Sequence, residues 1–93
     1  MSSDENDLQL LAKIISTIGA KDLAEDFILD FLSAAEISDL AERWRIVEKV
    51  AEGIPQRQVR DELSVSLAKV SRSAQILKSD RQSFKKIAKL IES

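Results

Sequence analysis

Only two glycines and one proline occur in 93 residues. That scarcity of breakers is the strongest constraint on the fold. Few stretches alternate β-branched or aromatic residues with polar ones, so the pattern favours helices throughout. Six segments follow from the apolar period. The first runs from about Glu5 to Thr17 behind Ser3 or Asp4 as cap, with Leu8, Leu11, Ala12, Ile15 and Ile18 on one face and Leu10 and Ile14 on a second. The next runs from about Lys21 to Phe31, with Leu23, Phe27, Ile28 and Phe31 as its stripe. A helix that is apolar on two sides needs two partners. In so short a chain, a second copy is an expected source of one of them.

The third segment opens after Ser33, with Glu36 three positions on, the Ser-x-x-Glu order of a capping box. It is expected to run to about Glu52 and stop at Gly53, burying Ile37, Leu40, Ala41, Trp44, Val47 and Ala51. Pro55 suits the first turn of a fourth helix, where its missing N–H costs nothing, and that helix ends near Leu63. A fifth follows Ser66 and runs to about Leu77. A sixth follows Ser79 and runs to about Ile91, with Phe84, Ile87, Ala88 and Ile91 on one side.

Composition narrows the chemistry. There is no Cys and no His, so zinc sites and the common nucleophile–base pairs cannot be built. No constellation of carboxylates or lysines replaces them, and an enzyme is not expected. With 44% apolar and 32% charged residues, the chain has the make-up of a soluble globular domain. Residues 1–93 read as a single domain of three parts: 1–53 as a dimerisation body, 54–78 as a helix-turn-helix and 79–93 as a C-terminal helix. No apolar run is long enough to span a bilayer. The first seven residues carry three acids and no base, unlike a secretory signal, so a cytoplasmic location is expected.

The net charge of −2 hides an asymmetry. Residues 1–53 hold 5 Lys and Arg against 12 Asp and Glu; residues 54–89 hold 9 against 3. A local positive field attracts phosphate whatever the distant charge. Two helices of about nine to eleven residues joined by Ser64-Val65-Ser66 have the dimensions of a helix-turn-helix spanning Ile54 to Leu77. On the second helix, Leu67, Val70, Ala74 and Leu77 fall within about 80° of arc and should face the body. The opposite arc holds Ala68, Lys69, Arg72, Gln75 and Ile76, small and cationic residues suited to a major groove. Gln56, Arg57 and Arg60 on the preceding helix could brace the phosphate backbone. Ser64 stands where such turns often carry Gly; a left-handed conformation there would cost about 1 kcal/mol.

From Phe31 to Lys78 the chain resembles the tryptophan repressor family. The matching text is Ala41-Glu42-Arg43-Trp44-Arg45-Ile46-Val47-Glu48, then Gly53, Gln56-Arg57, Glu62-Leu63, Ala68-Lys69-Val70-Ser71-Arg72 and Leu77-Lys78. The resemblance implies an all-α, six-helix fold with a helix-turn-helix, an intertwined homodimer, and a transcriptional regulator that binds a palindromic double-stranded operator. It assigns DNA contacts to Gln56, Arg57, Arg60, Leu67, Ala68, Lys69, Ser71, Arg72 and Lys78. Lys69 departs from the family's Thr, so the resemblance does not carry the family's operator sequence over to this chain.

The resemblance also implies a ligand set of Ser33, Arg43, Arg72, Ser73 and Ile76, with the two arginines flanking an indole. It implies no cofactor and no metal, only L-tryptophan or another small effector. Ser73 replaces a Gly that lies against the ring, and Ile76 replaces a Ser that helps hold the ligand's amino group. One change crowds the pocket and the other removes a partner from a buried ammonium. Weak or absent L-tryptophan binding is therefore expected. Two alternatives remain: a helical protein–protein interaction module without specific DNA binding, and a tryptophan-responsive repressor.

Overall fold

The computed structural model describes residues 3–92; Met1, Ser2 and Ser93, which the single-domain expectation includes, lie outside the described residues. The chain is all-helical: α1 (Ser3–Thr17), α2 (Lys21–Phe31), α3 (Ala34–Ala51), α4 (Gln56–Leu63), α5 (Leu67–Ala74), a 3-10 turn (Gln75–Lys78) and α6 (Ser83–Glu92). It divides into two compact units, one up to Ile37 and one from Ser38, and the division falls within α3.

In the first unit, α1 and α2 leave their apolar residues uncovered within one chain. None of the residues from Asp4 to Ile37 is buried. Leu8 is 67% exposed, and Leu10, Leu11, Ile15, Leu23, Leu29 and Phe31 all stand in solvent. Phe27 and Phe31, one helical turn apart, stack at 4.8 Å between ring centroids. The expected cap at Ser3 or Asp4 is not where the helix begins: both residues already lie inside α1. The capping box of α3 forms as the sequence predicts. The Glu36 N–H donates to Ser33 Oγ at 3.1 Å, and the Ser33 N–H donates to Glu36 Oε1 at 2.8 Å. Those bonds from Ser33 favour the ionised form and lower the Glu36 pKa.

The second unit holds the core. Ile46 of α3, Val59 of α4 and Val70 of α5 are fully buried against one another, with Val50, Ile54, Leu63 and Val65 packed around them. These contacts seat the α4–turn–α5 pair on α3. On another side of α3, Trp44 meets Phe84 of α6, with ring centroids 4.6 Å apart and tilted by 51°. Trp44 and Ile46 are two positions apart, about 200° around the helix axis, so α3 buries two faces. The expected stripe misses Ile46 for that reason, and it includes Leu40, which is 53% exposed in one chain.

The turns are set by backbone chemistry. Gly53 takes φ +90° after α3, and the Ile54 N–H reaches back to the Lys49 carbonyl at 3.2 Å. Ser64 does the same after α4 without being glycine, at φ 55°, ψ 46°; the Val65 N–H closes on the Arg60 carbonyl at 3.2 Å. The strain expected from the sequence is therefore present. Ser64→Gly should stabilise the fold by about 0.5–1 kcal/mol, read as a higher midpoint in urea unfolding.

Two bounds shift from expectation. The segment after Ser66 tightens to 3-10 geometry at Gln75–Lys78 instead of continuing as α-helix to Leu77. The last helix starts at Ser83, four residues beyond Ser79. Ser79–Gln82 instead forms a turn in which the Arg81 N–H donates to Ser79 Oγ at 3.2 Å, with Gln82 at φ 54°.

Candidate functional site

The α4–α5 pair carries the candidate surface. Ser66 caps α5: its backbone is extended, and its Oγ accepts from the Lys69 N–H at 3.1 Å. The cap orders the first turn of α5, where Leu67, Ala68 and Lys69 sit. Val70, Ser73 and Ala74 turn inward and are buried, while Ala68, Ser71, Arg72 and Gln75 are exposed. Leu67, expected to pack on the body, is 36% exposed. It therefore joins Ala68 on the accessible side at the start of α5.

The two helices are tied across this surface. Ser71 Oγ donates to Gln56 Oε1 at 2.8 Å, linking α5 to the first residue of α4. Gln58 Nε2 donates to Glu62 Oε1 at 3.2 Å, and Lys49 pairs with Glu62 at 3.2 Å. Both interactions, Gln58 first, lower the Glu62 pKa. Arg60 is half-buried and bonded to its neighbour Asp61 at 2.9 Å, so part of its charge is spent locally. That bond raises the Arg60 pKa. Arg57, Arg72 and Lys78 are exposed and make no ion pair among the described residues.

Lys69 differs from the helical-wheel expectation. It does not stand in open solvent beside Arg72. Its ammonium folds back to Glu42 Oε1 on α3, at 2.6 Å. The hydrogen bond and charge of Glu42 push the Lys69 pKa up, with a smaller contribution from Asp39. Glu42 belongs to the stretch that carries the family resemblance, yet it was not among the expected site residues. No local signal points to it, because its partner lies 27 residues downstream.

Beside this pair lies a cavity of about 350 Å³ lined by Asp39, Glu42, Arg43, Lys69, Arg72, Ser73 and Ile76. That is a size that takes small molecules. Four of the five residues expected to bind a ligand thus share one cavity. The fifth, Ser33, lies in the other unit and caps α3. Ser73 is 6% exposed, so its side chain occupies interior space that a glycine would leave open. Two acids, two arginines and a lysine make the walls strongly charged. No cluster able to hold a metal ion occurs among the described residues. No helix there is long and apolar enough to cross a membrane.

The sequence profile of the family described as "Trp repressor protein" matches residues 6–91, nearly the whole chain. The chain belongs to the Trp repressor family. Relatives within reach of this Trp repressor family member include the "Trp operon repressor homolog" of Chlamydia trachomatis serovar L2. It is 28% identical over 85 residues, covering 90% of each chain. The "Trp operon repressor homolog" of Chlamydia caviae is 31% identical over 88 residues, 94% of this chain and 87% of that one. No solved structure matches.

Proposed function

We propose that the protein is a cytoplasmic, repressor-like transcriptional regulator that binds a specific double-stranded DNA site as a homodimer. The observation that carries this reading is the α4–α5 surface. Its exposed Arg57 and Arg72 lie on a helix pair seated on the core by Val59 and Val70, and the exposed Lys78 ends the 3-10 turn that follows α5. The pair serves as a helix-turn-helix, with α5 in the major groove. Arg72, Ala68, Leu67 and Ser71 face base edges, and Gln56, Arg57, Arg60 and Lys78 brace the phosphates. Lys69 belongs to the same surface once its ammonium is released.

Membership of the Trp repressor family supports the reading, as do relatives whose names state repression of an operon. It also favours a binding role over catalysis. The uncovered apolar residues of α1 and α2 support self-association, because exposed apolar area on this scale marks an interface. Two such heads would meet successive major grooves about 34 Å apart, so the operator should be palindromic.

The cavity leaves room for a small effector but does not suit L-tryptophan. Ser73 fills space at the wall, and Ile76 offers no hydroxyl. The acids that could hold an ammonium already hold Lys69 or lie beside it.

Selection of bound duplexes from a random pool, with and without L-tryptophan, tests this function. One palindromic sequence should be enriched equally in both arms, and its affinity should fall by orders of magnitude between 50 and about 200 mM salt. Failure to enrich any sequence would favour a protein-interaction module. Enrichment only with the amino acid would favour a tryptophan-responsive repressor.

A further inference from the structure

Three cations line the cavity beside α5, and their situations differ. Arg43 and Arg72 make no ion pair among the described residues, whereas Lys69 is bonded to Glu42 at 2.6 Å. The pair is anchored at both ends. Lys69 is held at the start of α5 by the Ser66 cap, and Glu42 projects from the middle of α3. Glu42 is 29% exposed and Lys69 45%, so water reaches the pair but does not surround it. Asp39, one turn earlier on α3, adds a second negative charge beside the ammonium.

An ammonium bonded to Glu42 carries a carboxylate with it, and that carboxylate repels phosphate. The charge Lys69 could offer is already neutralised from within the same chain.

We propose that Glu42 is a positioning residue that withholds Lys69 from the DNA backbone, so that the ion pair acts as an internal competitor for the phosphate. The idea rests on the DNA-binding reading above. In the paired state Lys69 releases no counterion when DNA binds, and the head grips with one cation fewer than its sequence suggests. Affinity is thereby held below the maximum of the surface, and discrimination falls more heavily on Arg72.

The test measures affinity of the intact protein for the selected duplex over a series of salt concentrations. The variants are E42Q, K69M, E42Q/K69M and D39N, with circular dichroism confirming that each folds. E42Q keeps the side-chain shape and removes the charge. Its binding should tighten about two- to fivefold, the range set by a partly exposed ion pair. The salt dependence should steepen by about one counterion per head. D39N makes the same change in net charge without breaking the bond and should gain less. With K69M already present, E42Q should gain no more than D39N does.

An unchanged or weaker E42Q overturns the proposal. So does an equal gain with and without Lys69, since that would be a long-range charge effect. If no variant binds any duplex, the DNA-binding reading itself fails and this inference falls with it. Normal wild-type binding with an inert E42Q removes only the inference.

Discussion

Arg72→Ala should lower affinity for the selected operator by about ten- to a hundredfold, corresponding to about 1–3 kcal/mol for one good base contact. Arg72 is exposed on α5, one turn beyond Ala68, and makes no ion pair among the described residues, so its guanidinium has nothing to release before it meets a base. The loss should be confined to the specific site. Affinity for unrelated duplexes should change much less, which a competition experiment reads directly. Arg57→Ala supplies the contrast. Placed at the start of α4, it should weaken all sequences alike and reduce the salt slope by about one. Equal losses of specific and nonspecific binding in Arg72→Ala would assign it to the backbone instead.

The second large effect is on stability. Ile46→Ala should destabilise the protein by about 2–5 kcal/mol, because a fully buried branched side chain would leave a cavity among Val59 and Val70. For a chain of this size each kcal/mol moves the melting midpoint by roughly 4–8 °C. Thermal unfolding followed by circular dichroism should therefore show a fall of about eight degrees or more. The three valine and isoleucine side chains are the joint between α3 and the α4–α5 pair. DNA binding should be lost along with helicity on heating and be recovered together with it on cooling.

The sequence makes the order and number of helices plain because the signals are local. The Ser33–Glu36 box, Gly53, Pro55 and Ser66 each mark an end by a hydrogen-bonding or backbone property of their own, and the bounds of α2 follow the apolar period directly. Other features are not local. The start of α6 depends on a turn built with Gln82 at positive φ, a conformation for which glutamine carries no signature. Ile46 is hidden because α3 buries two faces, and one stripe cannot describe both. For the candidate site, the pattern identifies the exposed Ala68, Arg72 and Gln75, whereas Ser71 comes only from the family resemblance and Ile76, placed on the same arc, is half-buried and lines the cavity. It misplaces Lys69, because a helical wheel gives the direction of Cβ and not the end of a four-carbon chain. Glu42, the residue that redirects that chain, is distant in sequence and looks like any acid on an acidic helix.

The bare leucines, isoleucines and phenylalanine of α1 and α2 bear on dosage. In the proposed homodimer, a half-molecule with so much oily area in water would tie its own integrity to pairing, and pairing would depend on the square of the free chain concentration. Occupancy of a DNA site by such a dimer would then rise faster than its synthesis does. A modest drop in chain number would empty the site more sharply than it would for a regulator that works alone, which makes abundance itself a control input.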